Sequence, residues 1–461
     1  MNDQTTHIPN TPNEPAIPVV KTDRWGWMRT SITLRVILIG ILVLLLLIPL
    51  GMVGSLIQER EERKNEAVNE VSNTWGGAQT ITGPIISVPY STTTRVDIGD
   101  GKTELREVTE FAHFLPEKLN VDGDLSPEKR HRGIYDVVVY KSHLLLSGTF
   151  KPMVNNTLGM NDKLRWSEAF VTIGISDLRS IKEQVAMQLG GRPLAFEPGA
   201  PTNDVIGTGL SAAFACDTAC IREALPFSIE LQLNGSSSLR IAPVGKVTRA
   251  SMKSNWPDPS FSGAFLPDSS SITTTNFAAT WTVLHLNRPY PQEFLGARSS
   301  EVQESAFGTD LIVPVDEYQK NTRAAKYGVM LIVLVFLVFF FVEVLQKMRI
   351  HPIQYLLVGL ALCIFYTLLI ALSEHIGFAK AYVISAFAVL SLVVYYASSV
   401  FKMMSATRLL GMVMLLVFGF MFTLINQEDY ALLIGSIGLF VVLAIVMALS
   451  RRIDWSGGRA S

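Results

Sequence analysis

Apolar residues are not spread evenly along this chain. One run occupies Leu34 to Ile57, and five more crowd the last third at Tyr327–Leu345, Tyr355–Leu372, Ala379–Phe401, Leu409–Ile425 and Tyr430–Leu449. Each is long enough to cross a bilayer, where about 20 apolar residues are needed. Pro49 and the glycines of the first run are tolerated in transmembrane helices better than in soluble ones. That run is too long for the core of a signal peptide, and no small-residue cleavage site follows it, so it reads as an uncleaved anchor.

Between the first run and the rest the period changes. Gln58 to Ser72 is densely charged, with Glu59 and Arg63 at the i,i+4 spacing of a helix, and Trp75, Gly76 and Gly77 end it. After that, β signals dominate. Phe227, Ile229, Leu231 and Leu233 alternate strictly with Ser228, Glu230, Gln232 and Asn234, the period of a half-buried strand. Asn234-Gly235 predicts a hairpin turn, with Leu239 and Ile241 resuming the alternation beyond it. Ile134–Tyr140, Leu144–Phe150, Phe170–Ile175 and Phe277–Leu286 read as further strands.

The pattern therefore predicts a membrane protein: an α-helical transmembrane bundle of one N-terminal anchor helix plus five C-terminal helices, with a large inserted mainly-β domain. That domain reads as an antiparallel sandwich, extended in two layers rather than split in two. The expected divisions are a disordered tail at 1–33, the anchor at 34–57, the β-rich domain at 58–326, the five-helix bundle at 327–450 and a second tail at 451–461. Residues 1–20, rich in Pro, Asn and Thr, carry too little apolar surface to fold.

Charge adds orientation. Lys and Arg are retained on the cytoplasmic side of short loops. Lys21, Arg24, Arg29 and Arg35 precede or open the first span, Lys347 with Arg349 and Lys402 with Arg408 lie in alternate loops, and Arg451, Arg452 and Arg459 are in the tail. The opposite loops hold only Lys380, or Glu428 with Asp429 and no base. Both termini are expected in the cytoplasm and 58–326 on the outer side of the membrane. The net charge of −1 points to no nucleic-acid partner. The lipid bilayer is the one partner that the composition requires.

Candidate chemistry is sparse. Gly207-Thr208-Gly209-Leu210-Ser211-Ala212 fits a dinucleotide fingerprint without its βαβ setting, and Gly209 to Ala213 nearly makes a nucleophile elbow but ends in Ala213. Ser126-Pro127-Glu128-Lys129 and Ser399-Val400-Phe401-Lys402 repeat a Ser-x-x-Lys spacing that lacks the other motifs of penicillin-binding enzymes. All four read as chance matches, and no catalytic residue or cofactor is assigned. The external histidines His113, His131, His143 and His285 are scattered. His351 and His375 flank one span, about 30 Å apart for a helix of 20 residues, so no metal site is expected. Cys216 and Cys220 are spaced to close a small disulfide loop; a metal half-site is the weaker alternative, because no His or second Cys pair stands near.

Several stretches carry a family resemblance. Trp75-Gly76-Gly77-Ala78-Gln79, Gly83-Pro84-Ile85-Ile86 and Val88-Pro89-Tyr90 resemble the start of the periplasmic region of the CreD family of inner-membrane, cell envelope integrity proteins. Arg132-Gly133-Ile134-Tyr135, Ser176-Asp177-Leu178-Arg179, Leu233-Asn234-Gly235-Ser236 and Trp256-Pro257-Asp258-Pro259-Ser260-Phe261 through Phe265-Leu266-Pro267 are similar too. The most specific block is Glu343, His351-Pro352-Ile353-Gln354-Tyr355, Phe365-Tyr366, Ser373-Glu374-His375 and Ala381-Tyr382. The resemblance covers about residues 30 to 450. It implies a place in the envelope-stress response, with links to a two-component system and to β-lactam and colicin tolerance, and brings no catalytic residues.

The polar residues at the membrane then become the functional candidates, since burying charge in lipid is costly. Glu343 reads either as a side chain pairing with Lys347 one turn on or as a latch onto another helix. Ser373, Glu374 and His375 read as a cap that docks the bundle, or less readily as a proton relay. His351, Gln354 and Tyr355 form a turn with an interfacial anchor, as do Trp25 and Trp27. Outside the membrane, Trp256, Pro257, Pro259, Phe261 and Phe265 make a rigid apolar segment, read as a ligand platform or as a plug of the sandwich end. The expectation is a non-enzymatic envelope protein whose β domain binds an envelope component or a protein partner. A regulatory partner of a two-component system, an enzyme modifying envelope glycan or lipid, and a transporter are the rivals.

Overall fold

The computed structural model describes residues 32–97, 103–154, 156–159, 163–216, 218–311, 317–346, 348–401, 403–427 and 430–451. The tail 1–31, with Lys21, Arg24, Trp25, Trp27 and Arg29, lies outside the described residues, as do Lys347, Lys402, Glu428, Asp429, Arg452 and Arg459. By internal contacts the chain forms two units. One takes in the described residues up to Leu56 and those from Lys320 onward; the other is Ile57–Gln319.

The second unit is mainly β. Its strands begin with β1 (Gln79–Asp97), β2 (Thr103–Phe114), β3 (Lys118–Arg132), β4 (Tyr135–Phe150) and β5 (Phe170–Ile175). Next come β6 (Ala186–Leu189), β7 (Arg192–Ala195), β8 (Glu197–Pro198), β9 (Gly209–Ala213), β10 (Leu225–Ser236) and β11 (Ser238–Ile241). The last are β12 (Val247–Ser254), β13 (Pro259–Gly263), β14 (Ser269–Ile272), β15 (Phe277–Leu284), β16 (Glu293–Leu295) and β17 (Phe307–Leu311). A nine-stranded sheet runs β13-β17-β11-β1-β5-β9-β8, with β2 beside β1 and β16 beside β2. An eight-stranded sheet runs β14-β15-β12-β3-β4-β10-β6-β7.

One continuous core joins the two sheets. Ile81, Ile85 and Ile173 from the first and Val121, Leu146, Ile229 and Leu231 from the second are each at most 1% exposed. The alternation of β10 that marked it in the sequence is the cause: Phe227, Ile229, Leu231 and Leu233 are buried, while Ser228 and Glu230 face out. Fully burying each such side chain contributes about 1.5–3 kcal/mol.

Two features of the sandwich depart from the sequence expectation. β1 with β11 and β3 with β12 are parallel pairs, so both sheets are mixed. Alternation reports which face a residue takes but not the direction of the neighbouring strand. Asn234-Gly235 is not a hairpin turn. Both residues lie in β10, paired with Lys141 and Tyr140 of β4, and the chain crosses to the other sheet at Ser237, which has φ 64°. Gly235 serves close approach instead: a Cβ there would lie 2.3 Å from the Tyr140 ring, whose hydroxyl donates to the Ser238 carbonyl at 2.8 Å.

Among the described residues the helices of ten residues or more are α1 (Ile32–Trp75), α2 (Glu317–Lys326), α3 (Gly328–Leu345), α4 (Pro352–Ile376), α5 (Phe378–Phe401), α6 (Met404–Asn426) and α7 (Ala431–Ser450). Six of them, all but α2, are long and apolar enough to cross a membrane. The anchor and the charged segment that follows are one continuous helix of 44 residues with Pro49 inside it. None of α7 is buried, although nearly every side chain on it is apolar, so lipid is the solvent that suits it. α1 approaches α4 closely at Gly359, where a Cβ would lie 2.1 Å from Leu46, the small-residue contact common between membrane helices.

Candidate functional site

In the helical unit the polar groups converge on Glu343. It is the single charged residue of α3, and it is 4% exposed. Arg35, near the start of α1, donates from Nη1 to its Oε1 at 3.0 Å, and the Tyr355 hydroxyl of α4 donates to Oε2 at 2.9 Å. The tyrosine ring is held by Phe336 and Phe339 of α3, with ring centroids 5.4 and 5.7 Å away. Three helices are thus tied at one carboxylate, and both of its oxygens are engaged. Lys347 lies outside the described residues.

His351 and Gln354 act on the backbone. His351 is the N-cap of α4: its Nδ1 accepts from the Ile353 amide at 3.3 Å, while its own amide donates to Gln354 Oε1 at 2.9 Å. This reciprocal cap satisfies orphan amides at the helix start. Beside it, a cavity of about 550 Å³ is lined by the α1 face from Leu34 to Leu42 and by Glu343, Arg349, Ile350, His351, Pro352 and Tyr355.

At the other end of α4, Ser373 accepts from Asn321 Nδ2 of α2 at 2.8 Å and donates to the Ile370 carbonyl. Lys320 of α2 reaches Asn426 of α6 at 3.3 Å. Ser373 is buried, Glu374 half-buried and His375 exposed. Here the bundle is stitched to α2 by one neutral hydrogen bond and one from a lysine ammonium.

In the β unit the Trp256–Phe265 segment faces inward. Trp256 is 7% exposed and its indole donates to the Asp258 carbonyl at 3.2 Å. Phe261 stands edge-on to Phe277 and Trp281, and Phe265 edge-on to Phe307. Pro257 and Pro259 are half-buried, and Leu266, the residue after the segment, is 73% exposed. Cys216 and Cys220 are joined in a disulfide with Cα atoms 5.5 Å apart. Among the described residues no three His, Cys, Asp or Glu side chains gather as metal ligands.

Three arrangements here were not singled out from the sequence. Ser87 and His113 lie directly opposite on β1 and β2, with Ser87 Oγ 2.9 Å from Nδ1, and His113 Nε2 is 3.3 Å from Asp204 Oδ2. Ser87 is 2% and His113 1% exposed, and this Ser-His-Asp row straps β1 and β2 to the loop that carries Asp204. Secondly, distant segments meet where α1 joins the sandwich. Trp75 donates to the Tyr140 carbonyl, the Gly77 amide to Asp177, and Ser236 to Ser72, while the Arg130 guanidinium stacks 3.7 Å from the Trp75 ring. The Arg179 hydrogen bond holds the Asp177 carboxyl below its ordinary range. The third is a recess of about 300 Å³ on the nine-stranded sheet, lined by Thr80, Thr82, Gly174, Ser176, Thr208 and Gln303 among others.

Two of the enzyme-like motifs lie on strands. Ser211 sits mid-strand in β9, paired with Thr172, not on a strand-to-helix turn. Ser126 and Lys129 lie on β3, so they do not share the helical turn that a Ser-x-x-Lys site uses.

The family model for Inner membrane protein CreD matches residues 31–456. Inner membrane protein CreD of Escherichia coli (strain K12) is 34% identical over 416 residues, spanning 90% of this chain and 91% of the relative. Among solved structures, an M1 zinc metallopeptidase from Deinococcus radiodurans aligns with 40% of this chain and 42% of its own, at 9% identity and a TM-score of 0.19. That likeness is too slight to carry any inference.

Proposed function

The chain belongs to the CreD family of inner membrane proteins, and from that premise we propose that it supports cell envelope integrity by binding rather than by catalysis. Its place is the cell inner membrane, crossed by the anchor and the five C-terminal helices. The distribution of Lys and Arg favours both termini in the cytoplasm and residues 58–326 in the periplasm. There the β domain engages an envelope component or a protein partner.

The observation that supports a binding role is the recess on the nine-stranded sheet. Hydroxyls of Thr80, Thr82, Ser176 and Thr208 and the amide of Gln303 line it, without a charged side chain. Such a neutral, donor- and acceptor-rich lining suits the hydroxyl groups of an envelope glycan. Among the described residues that line it there is no His, Asp, Glu or Lys to activate a hydroxyl, which favours holding over chemistry.

In-cell photo-crosslinking from Thr208 and Gln303, both exposed at the rim, tests this reading. One dominant glycan or protein adduct, absent when the probe is placed at Leu286 instead, is the expected result. Equal labelling at all three positions, or none, counts against it.

A further inference from the structure

We propose that the groove between α1 and the α3–α4 turn binds an anionic phospholipid, with its phosphate at Arg349 and His351 and an acyl chain along α1. The cavity of about 550 Å³ is amphipathic from end to end. One wall is the α1 stripe of Leu34, Leu38 and Ile41, which are 40%, 37% and 55% exposed. The polar end holds two guanidiniums, one carboxylate and one imidazole.

The charge count decides what fits. Glu343 is already matched by Arg35 at 3.0 Å. Arg349 is exposed, and among the described residues of the lining there is no second carboxylate to face it. The polar end is therefore cationic, inside a wall that otherwise suits hydrocarbon. His351 adds a donor: because its Nδ1 accepts from the Ile353 amide, the neutral ring carries its proton on Nε2. The first turn of the 25-residue α4 adds the positive end of a helix dipole to the same place.

A guanidinium binds a phosphate through two parallel hydrogen bonds, and the apolar stripe supplies what a free anion has no use for. Basic pockets between membrane helices on the cytoplasmic side are where anionic headgroups bind. A bound lipid would lie against Arg35 and Tyr355 and so beside the carboxylate that ties α1, α3 and α4 together.

The full-length chain, purified in mild detergent, is titrated with phosphatidylglycerol, phosphatidylcholine or inorganic phosphate and read by native mass spectrometry and thermal stability. Phosphatidylglycerol is expected to bind about tenfold more tightly than phosphatidylcholine, with inorganic phosphate without effect. Arg349→Gln, at an exposed position, should abolish that preference while the chain stays folded. Leu38→Trp should weaken retention of both lipids by filling the apolar wall. An Arg349→Gln variant that keeps the full preference overturns the proposal. So does equal stabilisation by inorganic phosphate, which would mean a free-anion site, or a Leu38→Trp variant that binds as before.

Discussion

If Glu343 ties three helices together, its removal and that of the Tyr355 hydroxyl must be energetically coupled. Tyr355→Phe deletes one hydroxyl and leaves the ring packed on Phe336 and Phe339. Hydrogen bonds to charged groups contribute about 1.5–3 kcal/mol in water-soluble proteins. Between membrane helices the measured contributions average about 0.6 and reach about 1.7 kcal/mol. Glu343 keeps Arg35 in the variant, so a loss of about 1 kcal/mol is expected. Glu343→Ala does more, because it strands two partners. The unpaired, buried tyrosine hydroxyl costs about 1–3 kcal/mol. The Arg35 side chain is 25% exposed, so solvent screening limits its share to about 1 kcal/mol. The single variant should therefore lose about 2–4 kcal/mol, and the double variant about 1 kcal/mol less than the sum of the two. Reversible unfolding in mixed micelles, titrated with a denaturing detergent, measures all four corners of the cycle. Additivity within about 0.5 kcal/mol would show that the hydroxyl and the carboxylate act independently, and the latch would be wrong.

Two further outcomes follow from the β domain. Gly235→Ala should destabilise the chain by about 1–3 kcal/mol, because its Cβ would lie 2.3 Å from the Tyr140 ring. Thermal unfolding checks this, and Tyr140→Leu should recover part of the loss if the clash is the cause; a neutral Gly235→Ala variant would contradict it. His113 gives a pH dependence whose sign is fixed by burial. Burial lowers its pKa below the ordinary 6.5, against the opposing hydrogen bond and charge of Asp204. Its stabilising contribution is complete above pH 6.5 and falls as pH drops from there towards the folded value, since the unfolded chain takes up the proton first. Unfolding temperatures between about pH 7.5 and about pH 5 should therefore drop more steeply for the native chain than for His113→Phe, and parallel slopes would count against the reading.

Period and run length sufficed for the helices and for a β-rich domain between them, though not for the direction of its strands. Apolar runs the length of a bilayer set the one-plus-five arrangement of helices, because lipid leaves a spanning segment few alternatives. The alternation from Phe227 to Leu233 set a strand and its buried face, because a strand has only two faces. The short spacing of Cys216 and Cys220 allowed a disulfide without requiring it, and the folded chain places the pair in bonding contact.

What remained hidden depends on partners distant in sequence. Glu343 stands out in the sequence as costly in lipid, but its partner Arg35 lies 308 residues away. Gly235 looked like a turn because Asn-Gly is a strong local signal, while the ring that actually requires glycine belongs to Tyr140 on another strand. His113 looked scattered because Ser87 and Asp204 reach it only through sheet pairing and a distant loop. Solvent preference is a property of each segment, and it is readable along the chain. The pairing of a particular charge, ring or hydroxyl belongs to two segments at once, so only the folded chain could decide it.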